Sequence, residues 1–308
     1  MDLRSRTDTM YLPSFKLDKP IMGNVGFISQ SGAIGTVVLD LIDHEGFGLS
    51  CFISYGNADI VDESDILNYL VKDNETKLII FYLEGVKNGK RFIETAKKLA
   101  LKKPIIIIKA GITNQGAIAA HSHTASLAGN SEVYNAIFKQ FGFIIAEDLY
   151  DLLYFAKIFE TEPLCTKNKI GIITDGGGAG VLVTDAIYKN GMELATLTKE
   201  SMQKLRKVMP SIVNITMPLD IGGDADRNRY ADAINVVVND PNVDIIIIIV
   251  LFQTPGADSA VVSEIINIKN KILKIYYNFI KFYKKFFHIA RHFENFLFYT
   301  KKRLKLEK

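Results

Sequence analysis

The segment AHSHTASLAG, Ala120–Gly129, places two of the chain's five histidines one residue apart among Ala, Ser, Thr and Gly. Imidazole titrates near neutrality, and its unprotonated nitrogen can attack phosphorus to give a covalent phosphohistidine. His121 and His123 cannot both face one metal from a regular helix, and no Ser-His-Asp order is evident. The pattern therefore points to a nucleophile rather than a metal ligand. The stretch QGAIAAHSHTASLAG follows the apolar run KPIIIIKAG. In an open α/β sheet, sites lie at the carboxyl ends of strands, which is where these histidines fall. Glu84, in YLEGVKNG, ends another apolar run. A carboxylate there can accept the Nδ1 proton of an imidazole, fix its tautomer and leave the other nitrogen free to attack. A solvated glutamate at a loop start is the plainer alternative.

Two Gly/Ser turns suggest where the phosphate would sit. In FISQSGAIG, a strand runs into Ser29, Gln30, Ser31 and Gly32, and a helix starts. Unpaired N–H groups at a helix start carry partial positive charge and suit an anion. The bland alternative is that Ser31 only caps the helix and Gly32 only permits the turn. In ITDGGGAGVL, Gly176, Gly177 and Gly178 repeat the arrangement with more glycine. Neither turn is a P-loop, since no Lys-Ser/Thr follows, and GGGxG is not the dinucleotide spacing GxGxxG. In SYGNADIVDESD, the acidic residues lack the calcium-loop spacing. We read Asp62 or Ser64 as a helix cap there, and Asn57 as a polar contact for a substrate.

These turns belong to an internal repeat. GNVGFISQSGAIGTVVLDLIDHEG (Gly23–Gly46) and NKIGIITDGGGAGVLVTDAIYKNG (Asn168–Gly191) align without a gap. Each copy reads as a short apolar strand, a small-residue turn and a helix stopped by glycine. Further strands are expected at CFISYG, KLIIFYLEG and KPIIIIKAG in the first half, and at ELATLT and VDIIIIIVLF in the second. Helices are expected at Glu63–Val71, Gly89–Leu101, Ser131–Phe141, Lys199–Met209 and Arg229–Asn239. Continuous Ile/Val runs mean strands covered on both faces, hence parallel sheets. The expectation is two doubly wound α/β domains, 23–162 and 163–268. Residues 1–22 read as an extension without an element of its own. The second domain needs one more strand after Phe252, and nothing in the sequence clearly supplies it.

Composition narrows the function. Residues 271–308 hold eleven Lys/Arg against two Glu, a balance of +9, so the total of +3 leaves −6 on the remainder. The main body is mildly acidic and offers no nucleic-acid surface. Two cysteines, Cys51 and Cys165, form no ligand cluster and suit a reducing cytoplasm. No signal peptide opens the chain, and the longest apolar run is too short to span a bilayer. The stretch 269–308 is basic and rich in aromatics. It reads either as an amphipathic helix for a membrane or partner surface, or as a drifted reading frame, which its low complexity favours.

Taken together, TDTMYLP, GNVGFISQSGAIG, SYGNADIVDESDILNYL, YLEGVKNGKRF, KPIIIIKAG, AHSHTASLAG and NKIGIITDGGGAGVLVTDA resemble the NDP-forming acyl-CoA synthetases, relatives of succinyl-CoA synthetase. The likeness covers about residues 6–265. It implies two flavodoxin-like domains with parallel sheets. It also implies interconversion of acyl-CoA, NDP and phosphate with acid, CoA and NTP through a phosphohistidine, acetyl-CoA and ADP being the expected pair. His123 matches the phosphorylated residue and Glu84 the carboxylate that orients it. Ser29–Gly32 and Gly176–Gly178 match the helix-start phosphate cradles.

The chain departs from the family pattern in several places. Ala125 stands where glycine is usual, and Met217 where the pattern has Asn. The CoA-binding Rossmann domain and the ATP-grasp part are expected to be absent from this chain. Its partners would then be an ATP-grasp beta-type subunit or domain and a CoA-binding domain acting in trans, unless that domain is lost. Mg-ADP/ATP and CoA would be substrates of the complete enzyme, and no cofactor or metal would reside in this chain. A non-catalytic ligand-binding or regulatory remnant is the competing reading. A flavin-binding electron carrier is weaker, since the chain has no Trp to offer as a platform.

Overall fold

A computed structural model describes residues 1–9, 19–100, 102–113, 115–118, 130–161 and 168–272. The chain forms two compact units, Met1–Glu162 and Pro163–Lys308. In the first unit, β1 (Met22–Ser29), β2 (Leu49–Ser54), β3 (Leu78–Leu83), β4 (Ile105–Lys109) and β5 (Ile144–Ile145) build one sheet in the order β2-β1-β3-β4-β5. All of its pairings are parallel. The strands are apolar at nearly every position because both faces are covered. Helices α1 (Gly32–Glu45) and α5 (Leu149–Thr161) pack on one face. Helices α2 (Glu63–Lys72), α3 (Gly89–Ala100) and α4 (Ser131–Phe141) pack together on the other. There Ile66, Leu70, Phe92, Leu99 and Phe138 close over Ile28, Ile79, Phe81 and Ile107.

Local chemistry fixes where these helices begin and end. Ser31 caps α1 by accepting from Ile34 N, and Gly46 ends it at φ 69°, returning its N–H to the carbonyls of Ile42 and Asp43. Asp62 caps α2 in a reciprocal box with Asp65, as one of the two sequence alternatives foresaw. Arg91 of α3 pairs with both carboxylates and ties the helices together. The repeat glycine Gly35 has a packing reason: a Cβ there would lie 2.6 Å from the Phe52 ring.

In the second unit, β6 (Lys169–Thr174) is the central strand, paired in parallel with β7 (Glu193–Leu194), β8 (Leu219–Asp220) and β9 (Ile245–Ile249). Helices α6 (Gly177–Lys189), α7 (Lys199–Val208), α8 (Arg227–Val238) and α9 (Ser259–Ile272) complete it. Three sequence expectations change here. ELATLT contributes two strand residues rather than six. NITMPLD, where no strand was expected, supplies β8. Helix α8 starts at Arg227 rather than Arg229, because Asp226 accepts from Arg229 N and so caps the helix. After β9 the chain enters α9, so the composition break at Lys269 falls inside a helix, and residues 273–308 lie outside the described residues.

The first residues have a role that composition did not reveal. The Met1 amino group donates to Phe52 O at 2.8 Å, and Asp2 bridges Cys51 antiparallel, so Met1–Leu3 run along the outer edge of β2. This covers a sheet edge that would otherwise expose unpaired backbone. Arg4 anchors the segment through Asp73 at 2.5 Å. Burial opposes ionisation of Asp73, but hydrogen bonds from Thr76, Arg4 and Glu75 N outweigh it and hold its carboxyl down at about 2. The folded value lies below the unfolded one, so the stabilisation is complete above about pH 4 and is lost as pH falls through about 2. Asp73→Asn is expected to cost the first unit roughly 2 kcal/mol at pH 7. Urea unfolding of both proteins between pH 7 and pH 2.5 checks this: the gap between them should narrow as the pH falls below about 4.

Candidate active site

The order β2-β1-β3 makes β1 the strand on which the winding reverses, so the crevice of the first unit opens between the turns that follow β1 and β3. The four residues after β1's apolar stretch divide their work. Ser29 is buried and donates to Ser31 O at 2.6 Å, closing the turn. Gln30 is buried too, and its N–H continues the ladder to Tyr82 O. Ser31 and Gly32 face outward, and a Cβ on Gly32 would meet nothing within 4 Å. Gly32 therefore leaves open space in front of the first turn of α1, whose N–H groups have no helical partner.

Across the crevice, β3 ends at Leu83 and hands over to Glu84, which is 9% exposed. Its backbone is gripped from three directions. Gln30 Oε1 accepts from Glu84 N at 2.7 Å and from Gly85 N at 3.0 Å. Lys109 Nζ donates to Glu84 O at 2.7 Å. Tyr134 Oη, from α4, accepts from Val86 N at 3.0 Å. The Glu84 side chain is treated differently: its Oε2 is buried and takes no hydrogen bond among the described residues. The backbone is fixed while Oε2 is kept available, the Tyr82 phenol being the side chain that interacts with the carboxylate. Beside it, burial and then the negative charge of Glu84 push the Tyr82 phenol up to about 12, so Tyr82 stays a neutral donor.

Near Glu84, further buried polar groups take no hydrogen bond among the described residues. Glu63, at the start of α2, is wholly buried, and burial pushes its carboxyl above the usual carboxylate range. Tyr55, just past β2, has a buried hydroxyl without a partner among the described residues, and burial raises its phenol strongly, with the charges of Glu63 and Glu84 adding to the effect. Asn57 stands exposed in the turn after β2, at the same carboxyl end of the sheet. Among the described residues, no three His, Cys, Asp or Glu side chains converge as metal ligands.

The corresponding turn of the second unit follows different rules. Gly176 precedes α6 with no side-chain cap, so the first-turn amides lack even the partner that Ser31 supplies in α1. Thr174 Oγ1 accepts from Gly176 N and donates to Gly176 O, folding the turn on itself. Asp175 accepts from Leu251 N and from the Thr254 hydroxyl, binding the ends of β6 and β9 together. Gly176 has no room for a side chain, since a Cβ would lie 2.2 Å from Leu251 Cδ1. Gly177 is closed off by Asp220 Oδ2 at 2.6 Å, whereas Gly178 faces open space. Met217 packs into the core, where its sulfur accepts from Ile172 N.

The structure brings Ser29, Gln30, Ser31, Gly32, Asn57 and Glu84 to one end of the first sheet, together with Lys109 and Tyr134, which the sequence reading did not single out. A lysine closing the run IIIIK was the available signal, because a charge at the end of a strand buried on both faces must meet a partner there. His121 and His123 lie outside the described residues.

Comparison with known proteins agrees with this architecture. A model of the succinyl-CoA ligase-like flavodoxin domain matches residues 22–159, and a model of the ligase-CoA domain matches residues 170–269. The chain is 43% identical over 232 residues to the alpha subunit of ADP-forming acetate–CoA ligase II of Pyrococcus furiosus, covering 75% of this chain and 50% of that one. It is 45% identical over 209 residues to the ADP-forming acetate–CoA ligase of Methanocaldococcus jannaschii, covering 67% and 29%. The chain thus spans half or less of the length of these relatives. Among solved structures, it superimposes with a TM-score of 0.83 and 29% identity on the dinucleotide-forming acetyl-coenzyme A synthetase 1 of Ca. Korarchaeum cryptofilum in complex with phosphate and ADP, over 99% of this chain and 71% of that one. With two adjoining family domains, in order and covering most of its length, the chain belongs to the NDP-forming acyl-CoA synthetases of the succinyl-CoA ligase type.

Proposed function

We propose that this chain carries the phosphoryl-transferring core of an NDP-forming acid–CoA ligase, acting on acetyl-CoA or a similar acyl-CoA with ADP. The observation that carries the reading is the buried Glu84 carboxylate, whose Oε2 takes no hydrogen bond among the described residues, set at the switch point of the sheet near the open first turn of α1. A carboxylate so placed suits an imidazole N–H, and an open helix start suits a phosphate. The relatives named above, at 43% and 45% identity, support the same activity.

The chemistry runs in three displacements. A phosphate oxygen attacks the acyl carbon, the C–S bond breaks, and CoA leaves as its thiol after taking a proton. The free nitrogen of His123 then attacks phosphorus, the bond to the acyl oxygen breaks, and the acid departs as carboxylate. Finally an NDP oxygen attacks the phosphohistidine and the N–P bond breaks, giving NTP. Glu84 accepts the Nδ1 proton and holds the ring. The amides of Ser31 and Gly32 neutralise charge on the transferring group. The nucleotide site would come from an ATP-grasp subunit or domain and the CoA site from a Rossmann domain in trans.

Incubation with Mg-ATP and the nucleotide-binding subunit, or an extract of the source cells, should place acid-labile, alkali-stable phosphate on His123. That phosphate should disappear in His123→Ala and persist in His121→Ala. Mass spectrometry locates it, and its absence in a folded wild-type chain alongside an active partner would refute the reading. Glu84→Gln should slow His123 phosphorylation by about 100-fold or more. Gly32→Ala separates folding from function. Its Cβ meets nothing, so thermal stability should hold or rise, by up to about 1 kcal/mol. The KM for phosphate should nevertheless rise, because the methyl occupies the anion's place.

A further inference from the structure

The buried lysine at the end of β4 has no part in the chemistry above. Lys109 is 6% exposed, and burial pushes its amine below the ordinary lysine range, with the charge of Glu84 opposing that shift. A buried ammonium is costly unless it is compensated. Among the described residues Lys109 forms no salt bridge; it donates to two main-chain carbonyls, Glu84 O at 2.7 Å and Ala110 O, and lies 4.8 Å over the Tyr134 ring. Had Nζ taken the Glu84 carboxylate itself, the pair would have neutralised and blocked the group the histidine needs. Instead it holds the carbonyl of the same residue.

Tyr134 completes the connection. Its ring covers the ammonium while its hydroxyl receives Val86 N–H, so one side chain touches both the lysine and the Glu84 turn. It lies in the first turn of α4, whose Asn130 cap directly follows Gly129, the last residue of the segment that carries His123. Along the sequence, the carboxylate and the nucleophile are thus linked through one tyrosine and one lysine.

We propose that Lys109 and Tyr134 are positioning residues that set Glu84 for its work on His123 by fixing the backbone of Glu84 and Val86 without occupying its carboxylate. This rests on the function proposed above. A residue that acts only through Glu84 should matter only while Glu84 can work, and a double-mutant cycle reads that directly. Lys109→Met keeps the length of the stem and removes the charge, a change buried sites commonly tolerate. Tyr134→Phe removes only the oxygen that accepts from Val86 N, and so provides a milder second variant.

The rate of His123 phosphorylation from Mg-ATP and the nucleotide-binding subunit would be measured in wild type, Lys109→Met, Tyr134→Phe, Glu84→Gln and the two double variants. Each of Lys109→Met and Tyr134→Phe should slow the reaction about tenfold in the wild-type background. Neither should change it more than about twofold in the Glu84→Gln background. Equal losses in both backgrounds would overturn the positioning role while leaving the catalytic reading intact. No phosphate on His123 in the wild type would overturn the catalytic reading and the positioning role with it.

Discussion

The first unit is organised around a problem in electrostatics. A carboxylate that is to orient an imidazole must be held firmly, yet its own oxygens must stay free. The solution is to grip the peptide backbone. Gln30 takes the N–H groups of Glu84 and Gly85, Lys109 the carbonyl of Glu84, and Tyr134 the N–H of Val86. Side chains from three elements converge on three consecutive residues. Each bond is modest alone, on the order of 1 kcal/mol for neutral pairs and more for the lysine. In a buried setting, losing one leaves a polar group without a partner, which costs more than the bond contributed.

The rest of the fold supplies the platform for that grip. Parallel pairing places the carboxyl ends of β1, β3 and β4 side by side, so Gln30, Glu84 and Lys109 arise from neighbouring strands in register. The ladders run up to the site: Gln30 N bonds Tyr82 O, and Ala110 N bonds Leu83 O. The helices on both faces bury most strand residues, which is why the charges at the strand ends sit in a poorly hydrated setting. The second unit uses the same strand–turn–helix with another emphasis. Its turn gives up a serine cap for Gly176 and uses Asp175 to join two strands.

Much of this could be read from the residues. The Ile/Val runs gave parallel strands because no alternation was visible, and the 145-residue offset between Gly26 and Gly171 set the two units in correspondence. Ser31 and Glu84 stood out because polar side chains at strand ends need a reason. The grip did not stand out, because Gln30, Lys109 and Tyr134 are far apart in sequence and meet only once the strand order is known. The two-residue strand β8 was illegible and β7 was read too long for a different reason: their pairing is set by β6 rather than by their own propensity. The edge pairing of Met1–Leu3 escaped for the same reason, since its partner is the edge of β2.

The central claim is that the backbone of Glu84–Val86 is fixed by side chains rather than left as a surface turn. Amide hydrogen exchange, resolved to these residues, tests it most directly. The account predicts that Glu84, Gly85 and Val86 exchange nearly as slowly as Ile80 and Phe81 within β3, and that Gln30→Leu speeds Glu84 and Gly85 selectively. Exchange of all three amides in the wild type as fast as in an open loop would contradict it.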